Sequence, residues 1–161
     1  MHTSEKFSPK TLVLLIGVSL ASFIGNADFG IVNTAIPAIQ TQLQLTFVQS
    51  QWITNAFLLT LAMTLILMGK LADILGRRRV FYAGLILFLF ASGLAGSAMN
   101  ATLLIIARAL QAATAAIMFT SAGSLVNNSM PKQHRAKAMG IFWAIALLYS
   151  SGIILRILDQ A

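Results

Sequence analysis

Two residues able to carry charge, Asp28 and Arg108, lie inside long apolar stretches of this sequence. A charge at the centre of a bilayer costs about 2.5–3.5 kcal/mol on insertion scales, so such residues usually face a protein interior and often serve function. Their depths can be compared. Asp28 stands eight residues before Ile36, about 12 Å from that end of its stretch at 1.5 Å per residue. Arg108 stands five residues after Leu103, about 8 Å from the start of a stretch that runs the other way. The two therefore share a depth and can pair if their helices are neighbours. One reading makes Asp28 a neutral, hydrogen-bonded carboxyl and lets Arg108 reach toward the interface. The other makes them a proton-coupling pair, in which protonation of the carboxylate changes the favoured conformation.

A second constellation is the run Gly69-Lys70-Leu71-Ala72-Asp73-Ile74-Leu75-Gly76-Arg77-Arg78-Arg79, dense in charge and glycine between two apolar segments. The arginines suit a short cytoplasmic loop, where basic residues set orientation. Asp73 has no such role, because acidic residues add little to topology. A carboxylate four residues before Arg77 can hold an ion pair on the loop or on a helix end. Gly69 and Gly76 permit tight backbone approach or a positive φ.

The elements that must carry these residues are membrane spans. Of 161 residues, 58% are hydrophobic and only 9% charged, and the mean hydropathy is +0.83. A soluble domain carries roughly 25% charged residues, so a water-facing surface cannot be made from this composition. Five apolar segments, 11–36, 50–68, 80–98, 103–126 and 136–155, each approach the roughly 20 residues a helix needs to cross the hydrocarbon core. Lipid offers no partner to free backbone groups and nothing alternates as a barrel strand does, so the predicted fold is an all-α polytopic transmembrane bundle. Pro9, Pro37 and Pro131 are expected outside or at the edge of these spans. The stretch 37–45 is expected to form a short interfacial helix, with Trp52 anchoring the start of the second span at the outer interface.

The basic residues fall at the N-terminus (Lys6, Lys10), at 70–79 and at 132–137, while the connections 37–49 and 97–102 have none. This alternation predicts a multi-pass protein of the plasma (bacterial inner) membrane with a cytoplasmic N-terminus. The first span is too long for a cleaved signal peptide and contains Asp28. The net charge of +7 forms no face or arm, which argues against nucleic acid as a partner. There is no cysteine, and His2 and His134 lie in flanking polar segments, so no metal site is expected. No nucleophile–base set or nucleotide loop is present, and the chain does not read as an enzyme.

Three motifs resemble those of the major facilitator superfamily, and in particular its fourteen-span drug:proton antiporters. Gly69-x-x-x-Asp73-x-x-Gly76-Arg77-Arg78 is similar to the signature loop between the second and third helices. Asp28-Phe29-Gly30-Ile31-Val32-Asn33-Thr34-Ala35-Ile36-Pro37 looks like the antiporters' first-helix motif, with Gly30 where threonine is usual. Arg108-Ala109-Leu110-Gln111-Ala112-Ala113-Thr114-Ala115-Ala116 is similar to the fourth-helix motif, with Ala112 and Thr114 in place of glycines. In the fifth span the antiporters carry a Gly-Pro motif, and this chain has Tyr149-Ser150-Ser151-Gly152-Ile153-Ile154-Leu155-Arg156 without proline.

The resemblance implies five spans of the N-terminal half of a secondary transporter, with residues 1–161 a partial transmembrane domain. It implies proton-coupled multidrug efflux, with no cofactor beyond the proton gradient. Asp28 and Arg108 would be the coupling pair, Asn33, Pro37 and Gln111 would belong to the helix motifs, and Gly69, Asp73, Gly76, Arg77 and Arg78 would form a conformational gate. The expected partners are the lipid bilayer and, in a complete transporter, amphipathic or cationic small molecules. At this length the chain reads as a truncated product that is not expected to transport alone. The alternatives are a carrier of another small metabolite and a small membrane protein that oligomerises or modulates a relative; the small residues Gly84, Gly93, Ala95 and Gly96 would suit helix association.

Overall fold

The computed structural model describes residues 9–130 and 132–147, and only the backbone of 9, 10, 146 and 147. These residues form α1 (Pro9–Gln42), α2 (Phe47–Leu75), α3 (Arg77–Gly96), α4 (Ala101–Ser129), a 3-10 turn (Lys132–His134) and α5 (Arg135–Leu147). Four of the helices, α1 to α4, are long and apolar enough to cross a membrane. The rest of the fifth predicted span, 148–155, and its departure from the Gly-Pro motif lie outside the described residues, as do Lys6 and Pro131.

α1, α2 and α4 run past their predicted spans at both ends, while α3 starts earlier than predicted and ends at Gly96, short of residue 98; hydropathy marks only the part of a helix that suits hydrocarbon. Hydrogen bonding continues into polar sequence wherever nothing breaks it. The largest correction concerns 37–45. No separate interfacial helix forms; α1 continues through Pro37 to Gln42, which puts this proline inside a helix rather than at its edge. Pro37 has no N–H for the carbonyl of Asn33, four residues back. The chain turns only at 43–46, with Gln44 at φ 50°. Thr46 and Gln49 then form a capping box at the start of α2, each side chain accepting a hydrogen bond from the other residue's backbone N–H. Asn100 opens α4 in a similar way, its Oδ1 accepting from the N–H of Leu103 at 2.8 Å.

The predicted loop at 69–79 is also mostly helical. Asp73 belongs to the last turn of α2, the three arginines form the first turn of α3, and only Gly76 lies between, at φ +93°. That conformation suits a residue without a Cβ, so a single glycine reverses the chain.

α4 is the central helix. Half of its most apolar window is buried, against 6% for α2, and it packs along α2 and α3 and more lightly on α1 and α5. Its buried residues are largely small, among them Ala107, Ala112, Ala115, Ala116 and Ala122, which lets neighbouring backbones approach. Across from it, Gly84 of α3 leaves no room for a side chain: an added Cβ would stand 2.7 Å from Ile117 Cγ2. Gly93 and Gly96 meet nothing within 4 Å at the same position. Of the candidate association residues, Gly84 is thus spent inside the bundle.

Candidate coupling site and gate

Four helices converge where α4 turns Arg108 and Gln111 into the bundle. Both residues are buried, each 1% exposed. Arg108 Nη1 donates to Asp28 Oδ2 of α1 at 2.5 Å and to Gln111 Oε1 at 2.8 Å. Gln111 Nε2 donates to Asp28 Oδ1 at 3.1 Å and to Ser92 Oγ of α3 at 2.8 Å. Beneath the guanidinium lies Phe57 of α2, its ring centre 4.3 Å from the Arg108 Cζ, and Phe29 of α1 packs on that ring with 5.4 Å between centres. The equal depths of Asp28 and Arg108 thus correspond to a direct pair.

The arrangement holds a cation where lipid would not. The positive charge meets a carboxylate, a carboxamide oxygen and an aromatic face, which together replace water. The carboxylate in turn receives donors at both oxygens. Arg108 Nε is buried without a hydrogen-bond partner. Asp28, Ser92, Arg108 and Gln111 line a cavity of about 370 Å³ that also touches Gln42, Leu43 and Ala98. It therefore reaches the α1–α2 and α3–α4 connections, the end of the bundle away from the arginines of α3. The cavity thus reaches the Asp28 carboxylate, one of the groups that hold Arg108.

Asn33 and Pro37 lie about one and a half and two and a half turns farther along α1 than Asp28. Asn33 Oδ1 accepts from Thr54 Oγ1 of α2 at 2.8 Å and so ties the two helices together. At the opposite end, Asp73 Oδ1 and Arg77 Nη2 pair at 2.5 Å across Gly76. Arg78 lies over the ring of Tyr82, 5.9 Å from its centre. Gly69 faces Thr120 of α4, which an added Cβ would meet at 3.7 Å. Among the described residues no three His, Cys, Asp or Glu side chains gather in a way that could hold a metal.

Ser92 and Phe57 escaped the sequence reading. Ser92 stands six residues before Ala98, about 9 Å from that end, so the depth comparison used for the charged pair would have found it. Phe57 carries no comparable signal, since one ring in an apolar span resembles any other.

Residues 18–154 match the model of the Major Facilitator Superfamily. The chain belongs to this superfamily. As a member with four long apolar helices, it is a multi-pass membrane protein of the cell membrane. It is 41% identical to the multidrug transporter protein MdtP of Bacillus subtilis over 145 residues, 90% of this chain and 26% of the relative. Against the riboflavin transporter RibZ of Clostridioides difficile it is 31% identical, covering 83% of this chain and 29% of that one. Against the multidrug export protein EmrB of Haemophilus influenzae it is 32% identical, covering 91% and 29%. The chain thus spans less than a third of the length of these superfamily relatives.

Proposed function

We propose that these helices are the proton-coupling portion of a secondary transporter that exports amphipathic or cationic compounds against proton entry, with the N-terminus in the cytoplasm. The observation that carries the reading is the buried Asp28–Arg108–Gln111 network on a cavity directed away from the basic helix ends. Relatives named for multidrug transport and export support the substrate class. The positive residues at 70–79 and 132–137 support the orientation, and the cavity then faces the outside, the source of protons in a cell that keeps its cytoplasm alkaline.

A proton arriving from the cavity neutralises Asp28 and dissolves its ion pair. Arg108 keeps the Gln111 oxygen and the Phe57 face but loses its counter-charge, so the packing of α1 against α4 is no longer favoured by the same free energy. Binding or loss of one proton thereby biases two arrangements of the helices, which is the requirement for coupling. At the cytoplasmic end Asp73 and Arg77 hold the α2–α3 corner and serve as the gate that closes when the outer cavity is open.

The test is export of a lipophilic cationic dye from cells that lack other pumps and express these helices within a complete transporter. An imposed proton gradient should drive export, and Asp28→Asn should abolish it while membrane insertion persists. Gradient-independent export in that variant would overturn the coupling role. A riboflavin transporter among the relatives favours a second reading, a carrier of another small metabolite; export of a flavin but not of cations would select it. Absence of any transport, together with binding to a longer relative, would instead support a small modulating protein.

A further inference from the structure

We infer that Ser92 of α3 is a positioning residue for the Asp28–Arg108 site and acts through Gln111, an inference that rests on the coupling reading above. Gln111 is buried, and its carboxamide offers one acceptor oxygen and two N–H donors. The oxygen accepts from Arg108, one donor partner is Asp28 and the other is Ser92. The surrounding charges decide which way the amide points. Reversed, it would set its oxygen against the Asp28 carboxylate and its NH2 against the Arg108 guanidinium, with repulsion at both ends.

The amide is planar, so fixing one N–H fixes the direction of the other. At 2.8 Å the bond to Ser92 is shorter than the 3.1 Å bond to Asp28, and it comes from a different helix than either charged residue. Without the hydroxyl, a buried N–H is left unpaired, a costly state that the side chain can escape by rotating toward the neighbouring cavity. Rotation would withdraw a donor from Asp28 and an acceptor from Arg108 together. The position of Ser92 is itself secured by the close approach at Gly84, about 12 Å along α3, where no side chain fits against Ile117. α3 therefore contributes to the site without placing a charge in it.

The experiment follows the Gln111 carboxamide and the Arg108 guanidinium by nitrogen NMR of the full chain in lipid bilayers, with the Gln111 signal assigned by its loss in Gln111→Met. Ser92→Ala should shift one Gln111 amide proton toward the value of a free amide and perturb the Arg108 signal. Ser92→Thr, which keeps the hydroxyl, should restore both. Within a complete transporter, proton-driven dye export should fall about ten-fold in Ser92→Ala and recover in Ser92→Thr, the scale expected from loss of one hydrogen bond to the network. An unchanged Gln111 signal in Ser92→Ala, or one that Ser92→Thr fails to restore, would overturn the inference. Failure of the coupling reading is visible separately, as export that survives Asp28→Asn, because the positioning result is read on Gln111 itself.

Discussion

Asp28–Arg108 and Asp73–Arg77 are two aspartate–arginine pairs with the same 2.5 Å separation, and they differ in almost everything else. In the first, the arginine side chain is 1% exposed and the aspartate 20%, and eighty residues of sequence separate them. In the second, the arginine is 34% and the aspartate 57% exposed, and the two are four residues apart. Distance alone would rank them equal. Burial separates them, because water and salt screen the exposed pair and leave little net gain. Removing one member of the buried pair strands a charge where nothing replaces its partner. A local pair can be made by one corner of chain; the buried pair exists only when α1 and α4 are already packed.

The sharpest way to break this comparison is to remove one member of the buried pair. Arg108→Met should destabilise the bundle by about 3–5 kcal/mol, read from denaturant unfolding in detergent micelles. Combining it with Asp28→Asn should recover part of that loss, since no stranded carboxylate remains. A double variant as unstable as the sum of the two singles would show that the pair is not coupled. A smaller effect is expected under the guanidinium. Phe57→Leu keeps an apolar side chain but removes the aromatic face, and should cost about 1–2 kcal/mol in the same measurement, with part of the loss absent in the Arg108→Met background. The smallest effect on stability belongs to the exposed pair. Asp73→Asn should change unfolding by less than about 0.5 kcal/mol and leave insertion intact. If it nevertheless cripples export, the gate acts on the balance between conformations; unchanged export in that variant would remove the gate assignment.

Much of this organisation is legible in the residues. Composition demands lipid as the solvent, and counting residues from span ends puts Asp28 and Arg108 at one depth. Element ends were less legible. Pro37 looked like a stop, yet α1 passes through it, because the flanking residues remain compatible with a helix and only one N–H is missing. The stretch 69–79 looked like a loop, since charge and glycine are loop signals in water. At the edge of a membrane the same residues complete two helices, and the single positive-φ position at Gly76 turns the chain. Gln111 was visible as part of a motif, but its hydrogen bonds to three different partners were not. Ser92 was visible only as one hydroxyl in an apolar span.

By itself, the sequence determined the all-helical membrane class, the superfamily, and which residues carry charge at which depth. The class and the depths follow from transfer free energies and the rise per residue, which act locally and need no knowledge of neighbours; the superfamily rests on the resemblance of three motifs. The tertiary structure decided which of those residues meet. It made α4 the shared neighbour of α1, α2 and α3, and so brought a carboxylate, a guanidinium, an amide, a hydroxyl and a ring to one point. Only packing can do this, because small side chains on α4 and the bare backbone at Gly84 set how closely the helices approach. It also separated two pairs of identical chemistry into a buried pair and an exposed corner, since exposure to water is a property of the assembled bundle.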